Sequence, residues 1–432
     1  MSNLETCYSN LKSAVRDNLL NSLADKLANH TQLPASSLFD LIQLGLTRFD
    51  TFHLSIILKE MGHLYHAEAL LRQNINLHGD DASELYELAL VVLIRDLDQG
   101  MELLYRSVKL SSSYENVRLA ILLTFFTAKF EMLSFVKLNA CPDIVKKVFS
   151  ENGTFLRYLS AVGPIEVSQG NKGLFDVSTL PLDETTDWFP SLSEGGSLIR
   201  LGDGEGAMFR FSEEEEAVLY DLYKNNRDYF AQRWMGSDLD EVVQEDTQAQ
   251  LLEGVFEFDL VGIPNPSWLM KCFSSGDVRG FSCAWNVLRA LVRATPNKKC
   301  KFVRTSAFYD FLHRHPLITL FSNEPKITLV SWNDMLPAII KIDGYCGDIN
   351  FVRLNPAKSD VDVLFQIDTR LDVTTQDTII EASVLTSASV SSTIIVAGGY
   401  LAKVFSMRWR RDGYRVIDAG SALDMSLGLS IR

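Results

Sequence analysis

Two carboxylates separated by one glycine, Asp203 and Glu205, stand in the run Ser197-Leu-Ile-Arg-Leu-Gly-Asp-Gly-Glu-Gly206. Hard carboxylate oxygens at that spacing suit a divalent ion such as Mn or Mg, and an ion held there can carry a diphosphate. Gly202, Gly204 and Gly206 alternate with the acids, so the backbone can turn sharply and lie close to a ligand. The same residues also suit a solvated turn, because Gly and Asp dominate turns. A dinucleotide fingerprint is a third reading, since Gly202, Gly204 and Ala207 satisfy its glycine spacing. That motif requires a helix to open straight out of the glycines. Ser212, with Glu215 three residues on, instead predicts a helix that starts after Phe211. Two acids would also repel a bare pyrophosphate unless a cation lies between them. The run is therefore read as a metal-diphosphate cradle, with Arg200 at its entrance as a strand-end cation.

A second constellation lies near the C-terminus. Thr393-Ile-Ile-Val396 predicts a strand, Ala397-Gly-Gly399 a tight turn, Tyr400 to Arg411 a helix stopped by Gly413, and Tyr414-Arg-Val-Ile417 a parallel strand. Such a crossover is right-handed. In open parallel sheets the ligand crevice lies at the carboxyl ends of the strands, where Gly398, Gly399 and Asp418 would gather. Asp418 follows Gly398 at the separation that lets an acid reach a ribose hydroxyl, and it also suits a turn-capping aspartate before Gly420. Asp203, Glu205, Asp259, Asp360, Asp362 and Asp418 are all candidate general bases, and periodicity does not choose among them. His313-Arg-His315 lies in an aromatic-rich turn before Pro316.

The elements that must position these residues fall into two kinds. From Leu11 to about Phe149 apolar residues recur at three and four, which predicts helices. Ala67 to Leu77 aligns with Gly100 to Leu110 at an offset of 33 residues, close to the tetratricopeptide period. Residues 163–196 carry Pro164, Pro181 and Pro190 without a sustained period and read as a linker or wrapping segment. Beyond it, strands are predicted at Leu198–Leu201, Phe258–Ile263, Lys301–Arg304, Ile327–Ser331 and Ile349–Leu354, alternating with helices at Glu213–Phe230 and Phe281–Ala294. The four glutamates from Glu213 to Glu216 read as a solvated helix start. The expected fold class is α/β: a helical, tetratricopeptide-like domain over 1–162 and a Rossmann-like, mostly parallel α/β domain over 197–432.

Leu198-Ile-Arg-Leu-Gly-Asp-Gly-Glu205 resembles the Arg-aromatic-Gly-Asp-Gly-Glu signature of the GT-D glycosyltransferases, bacterial enzymes with an Asp-x-Glu metal motif. Leu201 stands where that family has an aromatic. Further segments extend the resemblance over roughly Leu198 to Asp424. Val261-Gly-Ile-Pro264 and Ile327-Thr-Leu-Val-Ser331 are similar to core strands of the family. Pro356, Lys358 and Asp362 match a Pro-Ser-Lys-Asn segment, and Gly399, Ala402 and Val404 a Gly-Pro-Thr-Ala helix start. Gly413-Tyr-Arg-Val-Ile-Asp-Ala-Gly420 resembles the Gly-Tyr-Gln-Ala-Ile-Asp-Ile-Gly ending. Ser421 replaces the histidine that follows there, and only Asp424 remains of the acidic run. The resemblance implies transfer of a sugar from a nucleoside diphosphate sugar, a UDP-sugar first among the candidates, to a protein or glycan acceptor. It further implies Asp203 and Glu205 as metal and catalytic residues. Arg200, Gly202, Gly204, Lys358, Gly398, Gly399 and Asp418 would then hold the nucleotide sugar.

Composition bounds these readings. The 432 residues are long for one core, and 47% hydrophobic with 22% charged residues describes an ordinary globular protein. A net charge of -14 argues against a nucleic-acid groove or an anionic membrane surface. Six cysteines without a Cys-x-x-Cys pair suit free thiols in a reducing cytosol. With neither a signal-like N-terminus nor an apolar run long enough to span a bilayer, a cytoplasmic protein is expected. Two other classes stay open. One is a non-catalytic interaction protein whose helical repeats bind a protein partner beside a degenerate nucleotide-binding domain. The other is a nucleotide-binding enzyme of different chemistry using the glycine turn at Gly398.

Overall fold

The computed structural model describes residues 47–60, 62–163, 173–175, 180, 182–183, 188–235, 241–294, 300–331, 333–353, 393–397 and 399–420. The chain divides into two compact units, one of residues 1–176 and 266–277, the other of 177–265 and 278–432.

The first unit is helical. Helices at Arg48–Glu60, Leu64–His78, Ala82–Leu93, Leu97–Leu110, Tyr114–Thr127 and Glu131–Asn139 follow one another in hairpin pairs, and Pro142–Glu151 and Gly153–Val162 complete the series. Short acceptor side chains set the starts. Asp81 accepts from the Ser83 and Glu84 amides, Asp96 from Gln99 and Ser113 from Asn116, each satisfying N–H groups that a helix end leaves unpaired. The first helices of successive pairs begin at residues 48, 82 and 114. The two self-similar segments fall in the second helices of the first two pairs. Leu54, Leu58, Leu85, Val92, Leu104 and Leu119 are among the side chains buried where these helices meet.

Pro266–Ser275, expected within the α/β domain, belongs to this helical unit instead. Its Phe273 is fully buried, with ring centroids 5.6, 5.8 and 6.0 Å from Phe126, Phe155 and Phe175. Edge-on aromatic packing of this kind adds to the area burial. The sequence analysis assigned this segment no element of its own, and which core it enters is decided by contacts distant in the chain.

Among its described residues the second unit carries eight parallel strands: β1 (Leu182–Asp183), β2 (Leu198–Arg200), β3 (Leu260–Ile263), β4 (Lys301–Arg304), β5 (Lys326–Ser331), β6 (Asp348–Arg353), β7 (Thr393–Ala397) and β8 (Arg415–Asp418). Their order is β1-β4-β3-β2-β8-β7-β5-β6, which brings β2 and β8 side by side in the middle. Every residue of β2, β3 and β7 is buried, as expected of strands covered on both faces. Leu198, Leu260, Ile327, Leu329, Ile395 and Ile417 share a core with Phe308, Phe311, Leu336 and Ile340 from the helices Ala307–Arg314 and Leu336–Ile342. Residues alternate along a strand, so Val416 and Asp418 point to the opposite face, towards the helix Gly399–Arg411.

The helix expected after Phe211 exists in two pieces, Glu213–Val218 and Tyr220–Met235. A further helix, Asp203–Met208, opens directly out of Gly202, contrary to the expectation of a glycine loop there. Two glycines in six residues, with a third at the N-cap, lower helix propensity, and tertiary packing overrides it. Gly206 lies so close to the helix Val278–Arg293 that an added Cβ would overlap the Cys283 carbonyl oxygen.

The glutamate run is also more than a solvated helix start. Glu213 and Glu214 are exposed, but Glu215 receives both Arg289 Nη atoms, at 2.8 and 2.6 Å, and the Tyr223 hydroxyl. Arg289 is 5% exposed and stacks on Phe211 at 4.2 Å. Burial alone would raise the Glu215 carboxyl, but the hydrogen bonds from Arg289 and Tyr223, with Arg293 nearby, hold it below its ordinary value. A carboxyl lowered on folding contributes stability above its unfolded pKa, and that contribution is lost as pH falls through the lowered value. Glu215→Gln is therefore expected to cost about 2 kcal/mol at neutral pH. In urea unfolding, its deficit against the native chain should shrink at acidic pH.

Candidate functional site

The functional candidates gather at the carboxyl ends of β2 and β8. Asp418, the last residue of β8, is 1% exposed. Its Oδ2 accepts the Arg200 backbone N–H at 3.0 Å, so the carboxylate continues the ladder where β8 stops. Its Oδ1 accepts the Gly420 N–H at 3.1 Å, the turn-capping contact. The turn-capping reading of this aspartate thus has a structural counterpart, whereas no described contact bears on the ribose reading.

Three charged side chains, Lys403, Glu205 and Asp418, come together there, and Arg200 joins them through its backbone N–H while its own side chain runs to Thr305 and Tyr309; all four residues are buried. Lys403, 4% exposed on the helix Gly399–Arg411, donates to Asp418 Oδ2 and faces Glu205 Oε1 at 3.7 Å. Glu205, 7% exposed, accepts the Gly202 N–H at 2.7 Å through Oε2, which ties the helix Asp203–Met208 to its own start. Arg200, 6% exposed, donates through Nη1 to the Thr305 carbonyl at 3.2 Å and lies over the Tyr309 ring at 5.3 Å. Its Nε is buried without a hydrogen-bond partner. Burying a donor unsatisfied is costly, so this atom calls for an acceptor. Two glycines make room for this arginine. Gly262 lies under its Cγ, where an added Cβ would stand 3.1 Å away, and at Gly420, with φ +49°, a Cβ would run into its guanidinium.

The expected site residues divide accordingly. Arg200, Gly202, Glu205 and Asp418 converge. Asp203 is the first residue of its helix and Gly204 lies within it, while Gly399 opens the helix that carries Lys403; the Asp203 side chain is outside the described atoms. Lys358, Gly398, Asp360 and Asp362 lie outside the described residues. Asp259 is removed from the candidate bases, because it precedes β3 at the amino end of the sheet, where Ser197 N, Ser197 Oγ and Arg410 engage it. His315, an exposed residue, stacks on Phe189 and Phe311, at 4.8 and 5.2 Å, and those two rings also stack on each other.

Sequence reasoning missed Lys403, Thr305, Tyr309 and the use of Gly420. For Lys403 a signal existed. A lysine stands between Ala402 and Val404, one turn before the buried Ser406 and Met407, on a face where periodicity calls for an apolar residue.

The described donors around Glu205 are already matched to an ammonium and backbone amides, while the Asp203 carboxylate expected to complete a metal pair lies outside the described atoms. Both Glu205 oxygens are engaged, one by the Gly202 amide and the other by the Lys403 ammonium. The two oxygens of Asp418 serve Lys403, Arg200 and Gly420. A Mg ion held by Glu205 Oε1 at about 2.1 Å would press against that ammonium in a dry pocket. Among the described residues no group of three or more His, Cys, Asp and Glu converges as a metal site.

A cavity of about 900 Å³ lies at the opposite, amino end of the strands, lined by Arg210, Phe211, Phe258, Asp259, Arg293 and Arg410 among others. Of the residues expected to do chemistry it contains only Asp259, which Ser197 and Arg410 already engage, and the carboxyl-end cluster is the better candidate on charge, burial and position. Among the described residues no helix is long and apolar enough to cross a membrane. Comparison of the chain with protein-family models, curated proteins and solved structures finds no match.

Proposed function

We propose that the chain is a glycosyltransferase that moves a sugar from a nucleoside diphosphate sugar to a protein or glycan acceptor. One observation supports this reading above the others: Glu205, Lys403 and Asp418 meet, buried, at the carboxyl ends of adjacent central strands, with the Arg200 backbone amide bonded to Asp418. That is where open parallel sheets receive ligands, and it agrees with a Rossmann-like donor domain. In the transfer the bond from the anomeric carbon to the diphosphate breaks, and a bond to an acceptor oxygen forms. Negative charge grows on the departing diphosphate, and fixed cations in a desolvated site stabilise it without reorganising. Arg200 is the cation with an unsatisfied donor, while Asp418, whose oxygens already serve Lys403, Arg200 and Gly420, would act by fixing Lys403 and the end of β2. Lys358, Gly398 and Gly399 complete the donor side in this reading. The helical pairs recur near the tetratricopeptide spacing and are proposed to present the protein acceptor.

The test is release of nucleoside diphosphate from UDP-, GDP- and TDP-sugars in the presence of Mn. One donor is expected to turn over, and Asp203→Ala and Glu205→Ala are each expected to lose roughly 100-fold or more, in line with removal of one group from a preorganised site. A folded chain that neither binds nor cleaves any donor would leave the non-catalytic interaction protein as the better reading.

A further inference from the structure

We propose that Lys403 is the resident cation of this site, occupying the place between Glu205 and Asp418 that a divalent ion would otherwise take. The geometry carries the argument. Lys403 is 4% exposed, its ammonium donates to Asp418 Oδ2, and it stands 3.7 Å from Glu205 Oε1. It is anchored on the helix Gly399–Arg411, while the two carboxylates come from the helix after β2 and the end of β8. A single ammonium thus ties three elements together and neutralises carboxylates that would otherwise repel one another in a dry setting. Beside this group, and joined to it through its backbone N–H on Asp418, Arg200 carries an Nε that is buried without a hydrogen-bond partner among the described residues. The anion of the ligand is received by Arg200 directly, and no metal bridge through Glu205 is needed. The identity of that anion as a diphosphate rests on the glycosyltransferase reading; the assignment of the cation does not.

Lys403 is a positioning residue in this account, so its test reads metal binding as well as ligand binding. Mn alone is titrated into the full chain and followed by electron paramagnetic resonance. The native protein is expected to bind no more Mn than Glu205→Gln. Lys403→Met frees both carboxylates and is expected to bind one additional Mn that Glu205→Gln in the same background removes. UDP and GDP are then titrated with chelator and with Mn, and native affinity is expected to agree within about twofold between the two conditions. Mn binding by the native chain that Glu205→Gln abolishes would overturn the proposal, whether or not Lys403→Met folds. A folded Lys403→Met that gains no Mn would overturn it too. If neither nucleotide binds under either condition while native and Glu205→Gln remain equal towards Mn, the cation assignment stands and the nucleotide-sugar reading fails.

Discussion

Asp418→Ala is expected to lower the thermal midpoint of the sheet unit by about 10 °C, corresponding to roughly 3–5 kcal/mol for breaking a buried charge pair. Three donors lose their acceptor at once: Lys403 Nζ, the Arg200 amide and the Gly420 amide. The Lys403 ammonium keeps only Glu205, at 3.7 Å, and an under-compensated buried charge is costly. The amides of Arg200 and Gly420 add the cost of orphaned backbone donors. Asp418→Asn keeps the shape and one acceptor oxygen, so it should lose distinctly less than the alanine variant. Circular dichroism melts of the two variants against the native chain measure the difference. Equal losses would mean that volume, not the acceptor role, is what Asp418 contributes.

Gly206→Ala should be among the most damaging single-methyl additions at the described residues. An alanine Cβ there would overlap the Cys283 carbonyl oxygen, lie 2.6 Å from its carbon and 3.0 Å from Val287 Cγ2. The first two obstacles are backbone atoms of the helix Val278–Arg293, which cannot turn aside as a flexible side chain does. The short helix Asp203–Met208 would have to move away from its partner, carrying Glu205 from Lys403. Overpacking without relief costs about 3 kcal/mol, and more where backbone must shift. Gly153→Ala is the control, since a Cβ there meets nothing within 4 Å. That change should be neutral or stabilising by about 0.5 kcal/mol, because alanine restricts the unfolded chain. Comparable urea midpoints for the two variants would refute the close approach at Gly206.

Much of the strand framework could be read from the sequence. Leu198-Ile-Arg, Lys301-Phe-Val-Arg304 and Thr393-Ile-Ile-Val are short apolar runs bounded by turn residues, and they form strands almost where expected. Strand runs of this kind are local signals, so a window of a few residues suffices. The helical start of the chain was legible for the same reason, through its three-and-four periodicity. The helix Asp203–Met208 was not, because glycine suppresses the propensity on which a local reading depends, while the contact that calls for Gly206 comes from Cys283. Phe273 shows the same limit: its apolar character was plain, yet its partners Phe126, Phe155 and Phe175 lie in the other unit of the chain from the strands that flank it.

By itself, then, the sequence determined which residues could bear charge or bend the backbone, and which runs would form strands and helices. Tertiary structure decided how those charges pair. Arg200 and Asp418 are 218 residues apart and meet only because the strand order sets β2 beside β8. The same order sends Asp259 to the far end of the sheet and brings Lys403 between Glu205 and Asp418. Propensity and periodicity act over a few residues, whereas the strength of an ion pair depends on distance and burial, and strand order together with helix packing sets both.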